Sequence, residues 1–257
     1  MTVIRSFALC ALLSTGCFGP ERAVHERDAV LEDASSVRRL EIDVGAGDLH
    51  VIGDPDTDSV RMAFTLVSNR LDEDDDEDAI EALRVDFDRD DDVLFAAVQL
   101  RDAPVGYWVD VCITVPERLE VGVVDGSGDA HVAGVASLDI TDDSGDLEVL
   151  SVPGPVTIDD GSGELLVEGV GPLRIDDDSG EIEIRGVTGD AVIVDGSGEI
   201  DIADVDGDVT ISDESGSIDV ERVTGTVTID DGSGDIDLED VGGFVLLSDG
   251  SGDIDRD

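Results

Sequence analysis

The chain has 257 residues, 65 of them acidic and 15 basic, so its formal net charge is −50. A surface this acidic repels nucleic-acid phosphates and anionic lipid headgroups, which excludes charge-driven binding to either and makes cations the natural partners. A hydrophobic content of 40% excludes a disordered acidic tail.

The N-terminus has the layout of an export signal. Arg5 precedes a short apolar core from Phe7 to Leu13, which is too short to span a bilayer. The ending "LSTGC" resembles a bacterial lipoprotein signal, which implies a signal peptide at 1–16 and a lipid on Cys17. The protein is then expected in the bacterial envelope, at the outer membrane or on its periplasmic or surface face, with the lipid as its only membrane contact. An ordinary secretory signal cut nearby is the alternative.

Residues 17–37 are predicted to form a lipid-anchored tether, and 38–120 an N-terminal coil with a β cap. The segment "LEIDVGAGDLHV" at 40–51 keeps the register of the later repeats, with Val44 and Ala46 at their Asp and Ser positions. Four strand-like segments and a helical turn at "DAIEAL" follow it. We expect this excursion to cover the open end of the repeat array.

Residues 121–257 are predicted to be solenoid repeats. The "SG" serines are spaced by 17 or 18 residues: Ser127, Ser144, Ser162, Ser179, Ser197, Ser215, Ser233 and Ser251. An aliphatic residue stands four positions before each serine, a glycine follows it, and valine stands eight positions after it in seven units. Fixed spacing over this many units is the signature of a repeat architecture.

Each repeat predicts two strands that share one buried face. Apolar residues two apart with polar residues between them describe such a strand. One unit cannot bury its own apolar face, but stacked units can, which is the principle of a β-solenoid. The predicted fold is therefore all-β, a single-stranded β-solenoid with coils of about 18 residues and a rod roughly 40 Å long. The glycines are expected to turn the corner after each serine, and glycines ten residues after it to turn a second corner.

An aspartate stands two positions before every serine. These eight corner aspartates are Asp125, Asp142, Asp160, Asp177, Asp195, Asp213, Asp231 and Asp249. Each is expected to accept hydrogen bonds from the backbone N–H groups that follow it. Stacked about 5 Å apart they repel one another, so the column is a candidate Ca²⁺ site, with loosely held counterions as the alternative. The nine-residue calcium β-roll motif is not matched, and no other cofactor is indicated.

The sequence shows no residue pattern that is typical of an enzyme active site. The repeated serines lack the strand–elbow–helix context of a hydrolase nucleophile and a positioned base. A β-helix carbohydrate-active enzyme needs a distinct pair of carboxylates, and none stands out among the many present. No catalytic residue is therefore predicted.

The "GSGDI" corners, the preceding strand "VDVCITVP" and the export signal together resemble the bacterial putative-adhesin family of β-strand-repeat envelope proteins. The resemblance covers about 38–257 and implies a β-helix, right-handed in that family. It supports a non-enzymatic, adhesin-like envelope protein that presents a rigid acidic surface for adhesion or scaffolding. Its partner would be an envelope or surface protein or a glycan. A calcium-stabilised binding module and, behind it, a β-helix carbohydrate-active enzyme are the alternatives.

Overall fold

The computed structural model describes residues 22–31, 34–69 and 75–256. The predicted signal peptide at 1–16 and Cys17 lie outside these residues. Within them the chain is almost entirely β-strand, with one short helix. The N-terminal elements are β1 (Arg22–Leu31), β2 (Arg39–Val44), β3 (Leu49–Asp54), β4 (Val60–Ser68), α1 (Asp76–Ala82), β5 (Leu83–Asp90), β6 (Val93–Leu100) and β7 (Tyr107–Pro116).

The remaining strands form the repeat array. They are β8 (Glu120–Asp125), β9 (Ala130–Ala133), β10 (Ser137–Asp142), β11 (Leu147–Leu150), β12 (Val156–Asp160), β13 (Gly163–Val170), β14 (Leu173–Asp177), β15 (Gly180–Thr188), β16 (Ala191–Asp195), β17 (Gly198–Asp206), β18 (Val209–Asp213), β19 (Ile218–Asp231), β20 (Ile236–Asp249) and β21 (Ile254–Arg256).

The repeats stack in parallel, which confirms the predicted β-solenoid. In β12 and β14, for example, Val156 lies beside Leu173 and Ile158 beside Ile175. Equivalent residues of successive coils are thus neighbours, and their aliphatic side chains form one continuous core. Every inner strand donates and accepts ladder hydrogen bonds on both sides, so the backbone hydrogen bonds run along the rod axis.

The first three coils are stacked in an order that differs from the chain order. β2 pairs with β6 on one side and with β8 on the other, while β3 pairs in the same way with β7 and β9. The coil built from β2 and β3 therefore lies between the β6–β7 coil and the β8–β9 coil. After the β2–β3 coil, the chain forms the outermost coil from β6 and β7. It then passes to the other side of the β2–β3 coil, where β8 and β9 begin the array.

Antiparallel strands extend the outermost coil into the predicted cap. β4 runs along β7, β1 runs along β4, and β5 runs along β6. Phe64 of β4 and Ala79 of α1 belong to the same buried core as the coils. Because residues 22–31 form β1, a strand lies within the segment expected to act as a tether.

The serine corner brings backbone against backbone. Gly145, which has φ +136°, lies so close to the preceding coil that a Cβ there would be 1.8 Å from the carbonyl oxygen of Gly128. A second corner lies seven residues after each serine, ahead of the glycine ten residues after it where the sequence pattern predicted one; that glycine bends the chain as well, and Gly189 there has φ +124°. Positive φ recurs at the seventh position after the serine whatever the residue: Gly134, Ser151, Gly169, Gly186, Asp204, Arg222 and Asp240.

The C-terminal coil departs from the repeat register. Leu246, instead of the expected Leu247, pairs with Ile229, and the strand is bulged before Ser248. Leu247 is consequently 65% exposed, and Ile254 is 42% exposed. Arg256 pairs with Leu238, as the repeat predicted, and its guanidinium lies 5.8 Å from the ring centroid of Phe244. Within the described ranges, no helix has the length and apolar character needed to cross a membrane.

Candidate functional site

The corner aspartates point into the solenoid. Seven of the eight are between 1% and 4% exposed, and the last, Asp249, is half-buried. They follow the inward aliphatic residues at alternate positions, so the strand geometry turns them toward the core. Each lies opposite its equivalent in the next coil, as Asp142 does opposite Asp160 and Asp195 opposite Asp213. The result is a buried column of carboxyl groups along the rod, which we call the corner column.

One oxygen of most corner aspartates is bonded as the sequence predicted. Oδ1 accepts the N–H of the corner serine at 2.9–3.2 Å in Asp142, Asp177, Asp195, Asp213 and Asp231. In Asp125 the donor is the N–H of Gly126, at 2.8 Å. These bonds cap the turn and fix the direction of each carboxyl group.

The other oxygen has no hydrogen-bond partner within the described part of the chain. This holds for Oδ2 of all seven buried corner aspartates, and for both oxygens of Asp160. A buried carboxylate without partners is costly, and the usual outcome is that it becomes protonated. The column is thus a line of oxygens whose charge the fold does not neutralise.

Burial raises the pKa of these groups toward neutrality. It raises the pKa of Asp125, Asp160 and Asp195 to about 7, with the neighbouring aspartate in the column as the second cause. The pKa of Asp213 is raised to about 6, again mainly by burial. Burial also raises the pKa of Asp142, Asp177 and Asp231. Near pH 7 the column therefore holds protons.

Calcium binding by the eight corner aspartates stays a prediction. A cation in the column would have to displace these protons and shed its water, because the side chains are shielded from solvent. Ca²⁺ takes six to eight oxygens, whereas two adjacent corner carboxyls offer four.

The repeated serines serve the corners. Besides their N–H groups, some hydroxyls bond to the previous coil, as Ser179 Oγ does when it donates to the carbonyl of Gly161 at 3.4 Å. They are spread one per coil along the rod, so the fold does not assemble them into one site.

A second set of carboxylates lies on the outer surface that follows each serine corner. Residues two positions after the serine stack in one ladder, as Glu164, Glu181 and Glu199 do. Residues four positions after it stack in another, as Asp201, Asp219 and Asp237 do. We call these two ladders together the acidic face. The second ladder was missed from the sequence, although an acidic residue four after the serine recurs in most units.

The acidic face contains a preformed group of ligand oxygens. Glu199, Asp201 and Asp219 each place one carboxylate oxygen within 4.8 Å of the others. Burial raises the pKa of Asp219, and the charges of Asp201 and Asp237 raise it further. The three side chains are thus close enough to bind one cation together, and their mutual repulsion favours a cation.

Comparisons with known proteins give the fold a precedent. No family model and no curated protein matches the chain. Among solved structures, a putative adhesin from Parabacteroides distasonis is 14% identical, with a TM-score of 0.52 over 92% of this chain and 98% of that one. A putative adhesin from Bacteroides fragilis is 16% identical, with a TM-score of 0.48 over 90% and 96%. A putative lipid binding protein from P. distasonis is 12% identical, with a TM-score of 0.42 over 90% and 97%.

The first of these similarities shows that the chain shares its fold with a solved putative adhesin. It agrees with the resemblance to the putative-adhesin family that the serine corners indicated.

Proposed function

We propose that this chain is a non-enzymatic, exported protein of the bacterial envelope, whose β-solenoid presents a rigid acidic surface for adhesion or scaffolding. The observation that carries the proposal is the acidic face. Its carboxylates stand in two parallel ladders, the first interrupted by Ser217 and the second by His131 and Leu166. The shared fold with a solved putative adhesin supports the same class of function.

The physical case rests on rigidity and spacing. Side chains of neighbouring coils repeat about every 4.8 Å, and their backbone is held by ladder hydrogen bonds on both sides. The carboxylates therefore occupy fixed positions, so little conformational entropy is lost when a partner binds. A partner with a row of basic groups, on an extended protein segment or an aminated glycan, fits this face by charge complementarity.

The surface role is tested by neutralising one face. Combining Asp201→Asn, Asp219→Asn and Asp237→Asn removes three charges from the acidic face. Combining Asp159→Asn, Asp176→Asn and Asp230→Asn removes three exposed charges from the strands before the serine corner. In photo-crosslinking on intact cells, the first variant should capture less of the envelope partner than the wild type, and the second should capture as much. Equal capture by both variants, or turnover of any member of a polysaccharide panel, would contradict the proposal.

Export and anchoring are tested separately. Cells that express the chain are labelled with a lipid precursor, and wild type is compared with Cys17→Ala and with Cys10→Ala as the matched control. The proposal expects label on the wild type and on the Cys10→Ala protein, and none on Cys17→Ala. Label that persists without Cys17 would show that another group is modified.

The grouping of Glu199, Asp201 and Asp219 favours one second candidate, a calcium-stabilised binding module. At matched ionic strength, Ca²⁺ should raise the thermal unfolding midpoint more than Mg²⁺ does, because the larger ion tolerates irregular carboxylate geometry. Asp201→Asn should remove the difference between the two ions, whereas Asp159→Asn should keep it. Identical shifts with Ca²⁺ and Mg²⁺ would reject the candidate.

A further inference from the structure

The stacking of coils brings together two histidines that are 81 positions apart in sequence. His50 of β3 and His131 of β9 lie side by side in the parallel ladder. Their ring centroids are 5.7 Å apart, and the ring planes are inclined by 48°. Both side chains lie on the outer side of their strands and are half-buried.

The next coil supplies a carboxylate that orients one of these rings. Glu148 of β11 pairs with His131 in the ladder, and its Oε2 lies 2.6 Å from His131 Nδ1. A carboxylate at this distance accepts a hydrogen bond from Nδ1–H, which in the neutral imidazole leaves the lone pair on Nε2. A carboxylate bonded to the second nitrogen of a metal-ligating histidine is the usual outer partner in zinc proteins.

The other ring, that of His50, lies between two neighbours in the outer ladder. In the ladder, His131 lies on one side of His50 and Cys112 of β7 lies on the other. Ladder hydrogen bonds on both sides fix the backbone of His50, which places its ring beside that of His131.

Two aspartates stand next to the histidines on the same outer surface. Asp48 and Asp129 each precede one histidine by two positions. Each uses Oδ1 to accept a backbone N–H of the following coil, from Asp129 and Asp146 respectively, at 3.2 Å. Both aspartates thus lie near the imidazole pair, although the only preformed group of three ligand atoms within the described residues is the one on the acidic face.

We propose that His50 and His131 form a binding site for a divalent transition-metal ion such as Zn²⁺. Glu148 holds the ring of His131, and rotation of the Asp48 or Asp129 side chain brings in a carboxylate oxygen as the third protein ligand. Two imidazoles that bind one zinc at about 2.0–2.1 Å have ring centroids roughly 5 Å apart, so a small side-chain rotation closes the observed gap. Mixed imidazole and carboxylate ligands select zinc-like ions over Ca²⁺, which separates this site from the acidic face and makes it independent of the proposed function.

The experiment titrates Zn²⁺ into the purified full-length chain by calorimetry, in excess Ca²⁺, which competes with Zn²⁺ for the carboxylate ladders. We expect one Zn²⁺ per chain in the wild type. His50→Gln and His131→Gln should each weaken binding at least tenfold, and Glu148→Gln about 10–100-fold. His25→Gln is the matched control. His25 lies on β1, three strands from β3 in the order β1–β4–β7–β3, and its loss should change nothing.

A second readout guards against loss of folding. Co²⁺ bound by this mixed ligand set should give visible absorption that Glu148→Gln weakens and His50→Gln abolishes, while the unfolding midpoints in EDTA stay at the wild-type value. Unchanged Zn²⁺ affinity in both histidine variants would overturn the proposal. So would complete displacement of Zn²⁺ by Ca²⁺.

Discussion

At the scale of single residues, the position of the corner aspartates is apolar in some coils and ionisable in others. In the first coils the same inward position is occupied by Val98 and Val44, which are adjacent in the ladder and buried. In the repeats it is occupied by aspartate, so a core position holds a carboxyl group. In six of the seven buried aspartates the first oxygen caps the turn, and burial favours a proton on the carboxyl group at a pH where an exposed aspartate would be ionised.

Asp160→Asn should stabilise the rod at neutral and alkaline pH. The pKa of Asp160 is raised from 3.8 to about 7 by burial and by the charges of Asp177 and Asp142. Between these pH values the folded protein holds a proton that the unfolded chain has lost, so the wild-type free energy of unfolding falls as pH rises from about 4 to about 8. In the variant this fall should be shallower by up to about 1.4 kcal/mol per pH unit.

Urea unfolding at a series of pH values measures this slope. Asp159→Asn is the control, since it removes the same charge from the exposed neighbouring position. Equal slopes for the two variants would show that the proton on Asp160 does not contribute.

At the scale of elements, the second corner is fixed by geometry and tolerates several residue types. Positive φ recurs seven residues after each serine, at glycines and also at Ser151 (φ 56°) and Arg222 (φ 53°). The inward valine follows immediately and closes the coil. A left-handed conformation costs a non-glycine residue about 1 kcal/mol, which the packing of neighbouring coils offsets.

Exchanging residue types at this corner should move stability in both directions. Ser151→Gly should raise the free energy of unfolding by about 1 kcal/mol, and Gly169→Ala should lower it by a similar amount. A Cβ on Gly169 would lie 3.9 Å from its nearest neighbours, the backbone atoms of Ser151, so the Ala variant adds no steric overlap to the backbone effect. Chemical denaturation measures both, and shifts of the same sign would refute this account.

The two ends of the rod should differ in local stability. The outermost N-terminal coil, β6 and β7, is covered by the antiparallel strands β5 and β4. The last coil leaves Val245, Leu247 and Ile254 at least 42% exposed. Amide hydrogen exchange should therefore be fast at 244–256 and slow in β7 and in β16 to β18. Uniform protection along the rod would contradict this prediction.

At the scale of the whole molecule, charge opposes the compact state. A net charge of −50 concentrated on a rod produces repulsion that folding increases. Added salt screens charges separated by more than about 8–10 Å. The unfolding midpoint should therefore rise when NaCl is increased from about 10 mM to about 150 mM, and KCl should act equally, because ionic strength sets this effect. A difference between the two salts would indicate specific sodium or potassium sites.

Local pattern explains why so much of the fold was predictable. Alternation of apolar residues is set by strand geometry, and the spacing of the serines is set by the length of one coil. The coils, the cap strands β4 to β7 and the register of the β2–β3 coil could thus be predicted. Leu247 was misplaced because the bulge in β20 depends on packing at the end of the rod, which alternation does not encode.

The sites were less predictable, because they depend on which strands become neighbours. The corner aspartates were visible as a column, but their burial and missing hydrogen bonds appear only when the core is assembled. His50 and His131 belong to segments separated by the whole cap, and nothing near either residue marks the other as its neighbour.

The sequence by itself determined the repeat, the strands and the inward positions, because these follow from side-chain alternation and coil length within one unit. Only the tertiary structure decided that the β2–β3 coil lies between β6–β7 and β8–β9. Backbone hydrogen bonds between parallel strands form equally well whether the strands are close or distant in sequence. Side-chain packing over long sequence distances therefore decides which strand lies beside which. That choice placed His50 against His131 and set the start of the corner column beside Val44.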